Sequence, residues 1–95
     1  MAEFLVELYV SRADAVAVER DAARTRLAAE QLTQEGMPVR YLRSIFVPED
    51  ETCFFLCEAA SVEAVRETAR RAALSFERIA EAVAPSSTEE VDRCP

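Results

Sequence analysis

The stretch VRYLRSIFVPEDETCFFLCE, residues 39–58, decides the fold. Residues 39–47 and 52–58 are rich in β-branched and aromatic side chains, the composition of strands. Only Pro48, Glu49, Asp50 and Glu51 separate them, and these polar residues read as a turn. Two strands joined by so short a link are expected to pair as an antiparallel hairpin.

Upstream, residues 14–35 read as a long helix: many alanines, no internal Gly or Pro, and abundant Arg, Glu and Gln, all good helix formers. Asp14 is the expected N-cap. Ala15, Val18, Ala22, Ala29 and Leu32 form a stripe at helical spacing, with Val16, Ala23 and Leu27 off it. Gly36, the one glycine of the chain, suits the left-handed residue beyond a helix C-terminus, and Pro38 confirms the stop. Before this helix, EFLVELYV at 3–10 alternates. Phe4, Val6, Leu8 and Val10 make one apolar face, expected to meet the helices, and Leu5, Glu7 and Tyr9 make the other.

Downstream, Ser61 caps a second helix, with Glu63 near the positive end of its dipole and an apolar stripe of Val62, Val65, Ala69 and Ala72. Residues 77–84, ERIAEAVA, have helical propensity, but Ser75 breaks the pattern and the fold needs a fourth strand there. The order is therefore βαββαβ, an α+β ferredoxin-like fold: a four-stranded antiparallel sheet with two helices on one face. It fills residues 1–84, and Pro85 to Pro95 reads as a flexible polar C-terminal tail. The uncovered sheet face calls for a partner or a ligand, and a homodimer is the expected assembly, since one small domain buries a modest fraction of its surface.

Composition narrows the function classes. Eighteen acids against eleven bases give a net charge of −7, which disfavours nucleic acid, because phosphate binding needs a concentrated basic surface. No apolar run reaches the length of about 20 residues that spans a bilayer, so no membrane role is expected. Three cysteines, Cys53, Cys57 and Cys94, do not make a disulfide framework, and the expected location is cytoplasmic with reduced thiols. Cys53 and Cys57 share a strand face about 13 Å apart, too far for a disulfide, and read as small buried hydrophobes. With no histidine, Ser-His-Asp and Cys-His templates are excluded, and one glycine excludes a Gly-rich phosphate loop.

The polar residues that interrupt strands are the remaining candidates. Glu7 and Glu81 each break an apolar run. If both face the open side with Tyr41 and Arg43 beside them, they line a polar patch, in which Arg43 holds an anion by its planar fork or pairs with a glutamate. The plainer alternative is a structural ion pair between strands or across a dimer interface.

Several runs resemble a family of small bacterial proteins that includes a nickel-binding actinomycete member. They are FLVE at 4–7, Tyr41, Arg43 and Ser44, Glu58-Ala59, EAVRE-x-ARR at 63–71, and Arg-Ile-x-Glu-x-Val at 78–83. The resemblance implies a ferredoxin-like homodimer that binds a small ligand or a metal, Ni2+ by resemblance only. Glu7, Tyr41, Arg43, Glu58 and Glu81 are its candidate ligand-binding residues. The chain departs from relatives that carry His at the positions of Thr68 and Arg43, Gly at Ala73 and Tyr at Ile45, and nickel in a nitrogen/oxygen site favours imidazole. The alternative function is a small cofactor-free enzyme of the dimeric ferredoxin-like barrel type, with a carboxylate base, or a non-catalytic interaction subunit.

Overall fold

The computed structural model describes residues 1–83, so the expected tail and Cys94 lie outside the described residues. Six main elements follow in the expected order: β1 (Ala2–Tyr9), α1 (Ala15–Gln34), β2 (Val39–Val47), β3 (Thr52–Ala59), α2 (Val62–Arg71) and β4 (Phe76–Ala82). The strands form one antiparallel sheet in the order β2-β3-β1-β4. Strands β2 and β4 are its edges. The turn at 48–51 is a short 3₁₀ helix, Pro48–Asp50, closed by Glu51 at φ 50°, whose amide donates to the Pro48 carbonyl at 3.0 Å.

Both helices lie on one face. Helix α1 packs mainly over β2 and against α2, and α2 lies over β4, β3 and β1. The core between the layers contains Phe4, Val6 and Leu8 of β1 and Cys53, Phe55 and Cys57 of β3, facing Ala22, Ala29, Leu32, Val65 and Ala69 of the helices. These strand residues occupy alternate positions, so one face of each strand is wholly apolar.

The buried face of α1 is Ala17, Val18, Ala22, Thr25, Ala28, Ala29 and Leu32. Ala15, expected in the stripe, is exposed, although Ala17 and Val18 in the same turn are buried. Thr25 and Thr68 take interior positions that apolar periodicity overlooks. Their hydroxyls donate within their own helices to the carbonyls of Asp21 at 2.7 Å and Ala64 at 2.8 Å, so burial leaves no unsatisfied donor. Asp14 stands at the N-cap but makes no side-chain cap bond; its ψ of 56° is not the extended geometry that aims a cap at the first turn. Ser61 does cap α2, accepting from the Ala64 amide at 3.3 Å.

The two helices end alike. Beyond α1, Met37 N–H donates to Leu32 C=O at 2.9 Å and Gly36 N–H to Thr33 C=O at 3.1 Å. Beyond α2, Leu74 N–H donates to Ala69 C=O and Ala73 N–H to Arg70 C=O, both at 3.0 Å. This is the Schellman arrangement, with its left-handed residue at Gly36 (φ 96°) and at Ala73 (φ 58°).

Strand β2 contains a bulge. Tyr41 pairs with Cys57 and Arg43 with Leu56, leaving Leu42 as the extra residue. A second irregularity, between Glu7 and Leu8 on β1, leaves Glu77 of β4 unpaired between Phe76 and Arg78.

Candidate functional site

The strand register assigns each polar candidate to a face. Glu7 pairs with Phe54 on one side and Arg78 on the other, so all three lie on the open face. Leu5 is flanked by Leu56 and Ala80, and Ile45 pairs with Phe54. Leu5, Ile45, Phe54, Leu56 and Ala80 therefore form a contiguous apolar centre on this face. Leu56 is only 9% exposed although it is outside the core cluster, because its neighbours on the open face already shield it.

Charges surround that centre. Arg78 Nε donates to Glu7 Oε1 at 2.8 Å. Arg40 Nε lies 3.6 Å from Glu58 Oε1. Glu58 sits directly opposite Glu3, a like-charge pair that Arg40, its other neighbour, offsets. Arg43, exposed and paired in register with Leu56, has no carboxylate within salt-bridge distance among the described residues.

Tyr41 and Glu81 are elsewhere. Tyr41 pairs with Cys57 and turns toward the helices, its ring edge-on to Phe55 at a centroid distance of 5.7 Å. Glu81 pairs with Phe4, also on the helix side, but on the opposite edge strand, where it is exposed. The five candidates do not converge: Glu7, Arg43 and Glu58 share the open face, and Tyr41 and Glu81 stand at opposite margins of the other. Glu81 is thus not on the open side with Glu7, because it lies two residues from Ile79, which packs against the core, and regular alternation turns both to the helix side.

Tyr41 does take part in a concave feature. A groove of about 630 Å³ runs along the seam between the second half of α1 and β2, bordered by Arg26, Ala29, Glu30, Val39, Arg40 and Tyr41. The guanidinium carbon of Arg26 stands 5.0 Å from the centroid of the Tyr41 ring, a cation–π contact. Sequence reasoning singled out Tyr41 and missed Arg26. The available signal was an arginine on the flank of the buried stripe, which by itself does not say which strand residue lies beneath it.

The thiols offer no ligand set. Burial pushes Cys57 up to about 11; burial, with a smaller contribution from the Asp21 charge, does the same for Cys53. Both remain protonated at neutral pH, and metals bind the thiolate. Among the described residues no group of three or more His, Cys, Asp or Glu side chains is placed to hold a metal ion. The described residues therefore do not fit a nickel site.

A surface network ties the ends of the two helices together. Arg71 donates to both carboxylate oxygens of Glu35, at 2.9 Å each, and through Nε to Glu67 at 2.9 Å. Arg70 donates to Glu67 as well. Hydrogen bonds from Arg70 and Arg71 pull Glu67 down to about 2, and the bond from Arg71 lowers Glu35.

Comparison with known proteins agrees with this architecture. The crystal structure of SCO4226 from Streptomyces coelicolor A3(2) superposes with a TM-score of 0.69 at 22% sequence identity, covering 90% of this chain and 100% of that one. At that identity the likeness shows the shared fold. No curated protein matches the chain in sequence. Residues 4–82 match the family described as nickel responsive protein SCO4226-like. That match spans β1 through β4, and on it the chain belongs to the SCO4226-like family.

Proposed function

We propose that this chain is a small, non-catalytic, ligand-binding subunit that works as a homodimer, closing its open sheet face with a second copy of itself. The self-complementary character of that face carries the reading. Its apolar centre is flanked by charges that are already paired, Arg78 with Glu7 and Arg40 with Glu58, so covering them leaves few lone ions without a partner. Two further charges of opposite sign, Arg43 on β2 and Glu3 on β1, have no ion-pair partner among the described residues, and a two-fold axis can bring one to the other. The family description speaks of nickel response. Nickel is left out of this proposal, because the described residues contain no imidazole and no cluster that fits it.

Size-exclusion chromatography with light scattering tests the assembly. At micromolar concentration the expected mass is twice that of the chain, and Ile45→Asp, at an exposed position of the same face, is expected to return a monomer that keeps its native circular dichroism. A monomeric wild type would overturn the assembly. Titration calorimetry with nickel tests the exclusion of metal. No heat at micromolar protein is the expected result, and a stoichiometric exotherm would restore a metal role.

A further inference from the structure

We propose that the seam between α1 and β2 is a binding site for an aromatic carboxylate, an apolar planar body with one acidic head. The site lies at the helix-side seam, though it shares its rim residue Arg40 with the open face, and the binding test and the dimer test fail separately. Its volume of about 630 Å³ lies within the range of about 300–1,000 Å³ typical of small-molecule pockets. Its lining is mostly apolar: Ala29 on the helix, and Val39 and Tyr41 on the strand, with Tyr41 braced edge-on against the buried Phe55. A braced ring is a fixed platform, and fixed platforms lose little conformational entropy when a ligand settles on them.

The charge arrangement selects the head group. Arg26 extends over the Tyr41 ring and has no carboxylate within salt-bridge distance among the described residues. Its planar fork is free to take a carboxylate by two parallel hydrogen bonds while its face stays on the tyrosine. Arg40 stands at the rim, loosely engaged at 3.6 Å with Glu58. Glu30, one helical turn beyond Arg26, lines the same groove and is the one acidic side chain there. With Arg40 engaged by Glu58, Arg26 is the side chain this seam offers to an anion in a chain of net charge −7. An aromatic acid satisfies each part of the site, with its ring in the apolar groove beside Tyr41 and its carboxylate on Arg26.

The test uses 1-naphthoate as probe and 1-naphthylmethylamine as its cationic counterpart, with amide chemical shifts of the labelled full chain as readout. Naphthoate is expected to move the amides of Arg26, Thr33, Val39 and Tyr41 in a saturable way, and the amine is expected to leave them in place. Arg26→Gln, at an exposed position that does not threaten folding, is expected to weaken naphthoate about tenfold. Glu30→Gln is expected to tighten it about two- to threefold by removing the like charge. Equal binding of acid and amine would overturn the proposal, as would shifts confined to Leu5, Phe54 and Leu56 on the open face. An Arg26→Gln variant that binds naphthoate as tightly as the wild type would overturn it too.

Discussion

Removing one hydroxyl from α1 should loosen the edge of the sheet. The Thr33 hydroxyl donates to the Val39 carbonyl at 3.0 Å and accepts from the Val39 amide at 3.1 Å. Strand β2 is an edge strand, and these two backbone groups of Val39 turn away from β3, where a neighbouring strand would otherwise satisfy them. Thr33 takes the place of that missing strand for one residue and anchors the start of β2 to the end of α1. Val39 itself is 5% exposed, so its polar groups have restricted access to water. Thr33→Val keeps the side-chain shape and removes both bonds. Each such bond is worth about 0.5–1.5 kcal/mol net, and Thr33 is itself partly open to solvent, so the combined loss should be about 1–2 kcal/mol. With a urea m-value of about 1 kcal/mol/M for a domain this small, the midpoint should fall by about 1–2 M. Thr33→Ser, which keeps the hydroxyl, should recover most of the loss. Native-state hydrogen exchange of the Val39 amide gives a local readout, and it should speed up by about 5- to 30-fold in Thr33→Val. A Thr33→Val protein within about 0.5 kcal/mol of wild type, with Val39 exchange unchanged, would refute the reasoning.

Other expectations follow from the helix ends, the charges and the thiols. Ala73 holds a left-handed conformation at φ 58°, which disfavours a Cβ by about 1–2 kcal/mol. Ala73→Gly should therefore raise the thermal midpoint, the relief exceeding the added chain entropy of about 0.4–1 kcal/mol; a lowered midpoint counts against the strain. Glu67 has its folded pKa depressed to about 2, so the stability it contributes is complete above its unfolded value near 4.5 and is lost as pH falls toward 2. Thermal melts of the wild type should decline across that window, and Arg71→Ala should decline less there; parallel profiles would remove the network from acid sensitivity. Cys53 and Cys57, raised to about 11, should resist 5,5′-dithiobis(2-nitrobenzoate) in a folded Cys94→Ser variant and react once urea unfolds it. Prompt reaction of the native variant would contradict their burial.

The fold was legible because each element has its own local signal. The period-two apolar face of 4–10, the glycine after α1 and the four-residue turn at 48–51 each restrict the chain to one local structure. The strand at 76–82 was legible only through topology, since ERIAEA has helical propensity and β4 forms by pairing with β1. The candidate site was legible in part. Sequence alternation grouped Glu7 with the open face correctly, and the same alternation puts Glu81 with Ile79 on the helix side, which shows once β4 is paired in register with β1. Tyr41 stood out as an aromatic next to charges. Its partner Arg26 did not, because contacts between helix and strand depend on how α1 is rotated over β2. Thr25 and Thr68 were missed because their hydroxyls are satisfied within one helical turn, which lets a polar residue take a core position.

The extra residue in β2 has a further consequence. Leu42 acts as a phase shift in the strand: odd-numbered residues point to the helices before it, at Val39 and Tyr41, and even-numbered residues do so after it, at Ser44 and Phe46. Arg40 and Arg43, three positions apart, thereby come to the same side, which strict alternation forbids. Deleting Leu42 would restore alternation along the whole strand. Arg43, Ser44, Ile45 and Phe46 would keep their present partners Leu56, Phe55, Phe54 and Cys53, so the deletion would remove the local kink without moving a side chain to the other face. One inserted leucine thus lets residues 43–47 take the sides that strict counting from Val39 would deny them.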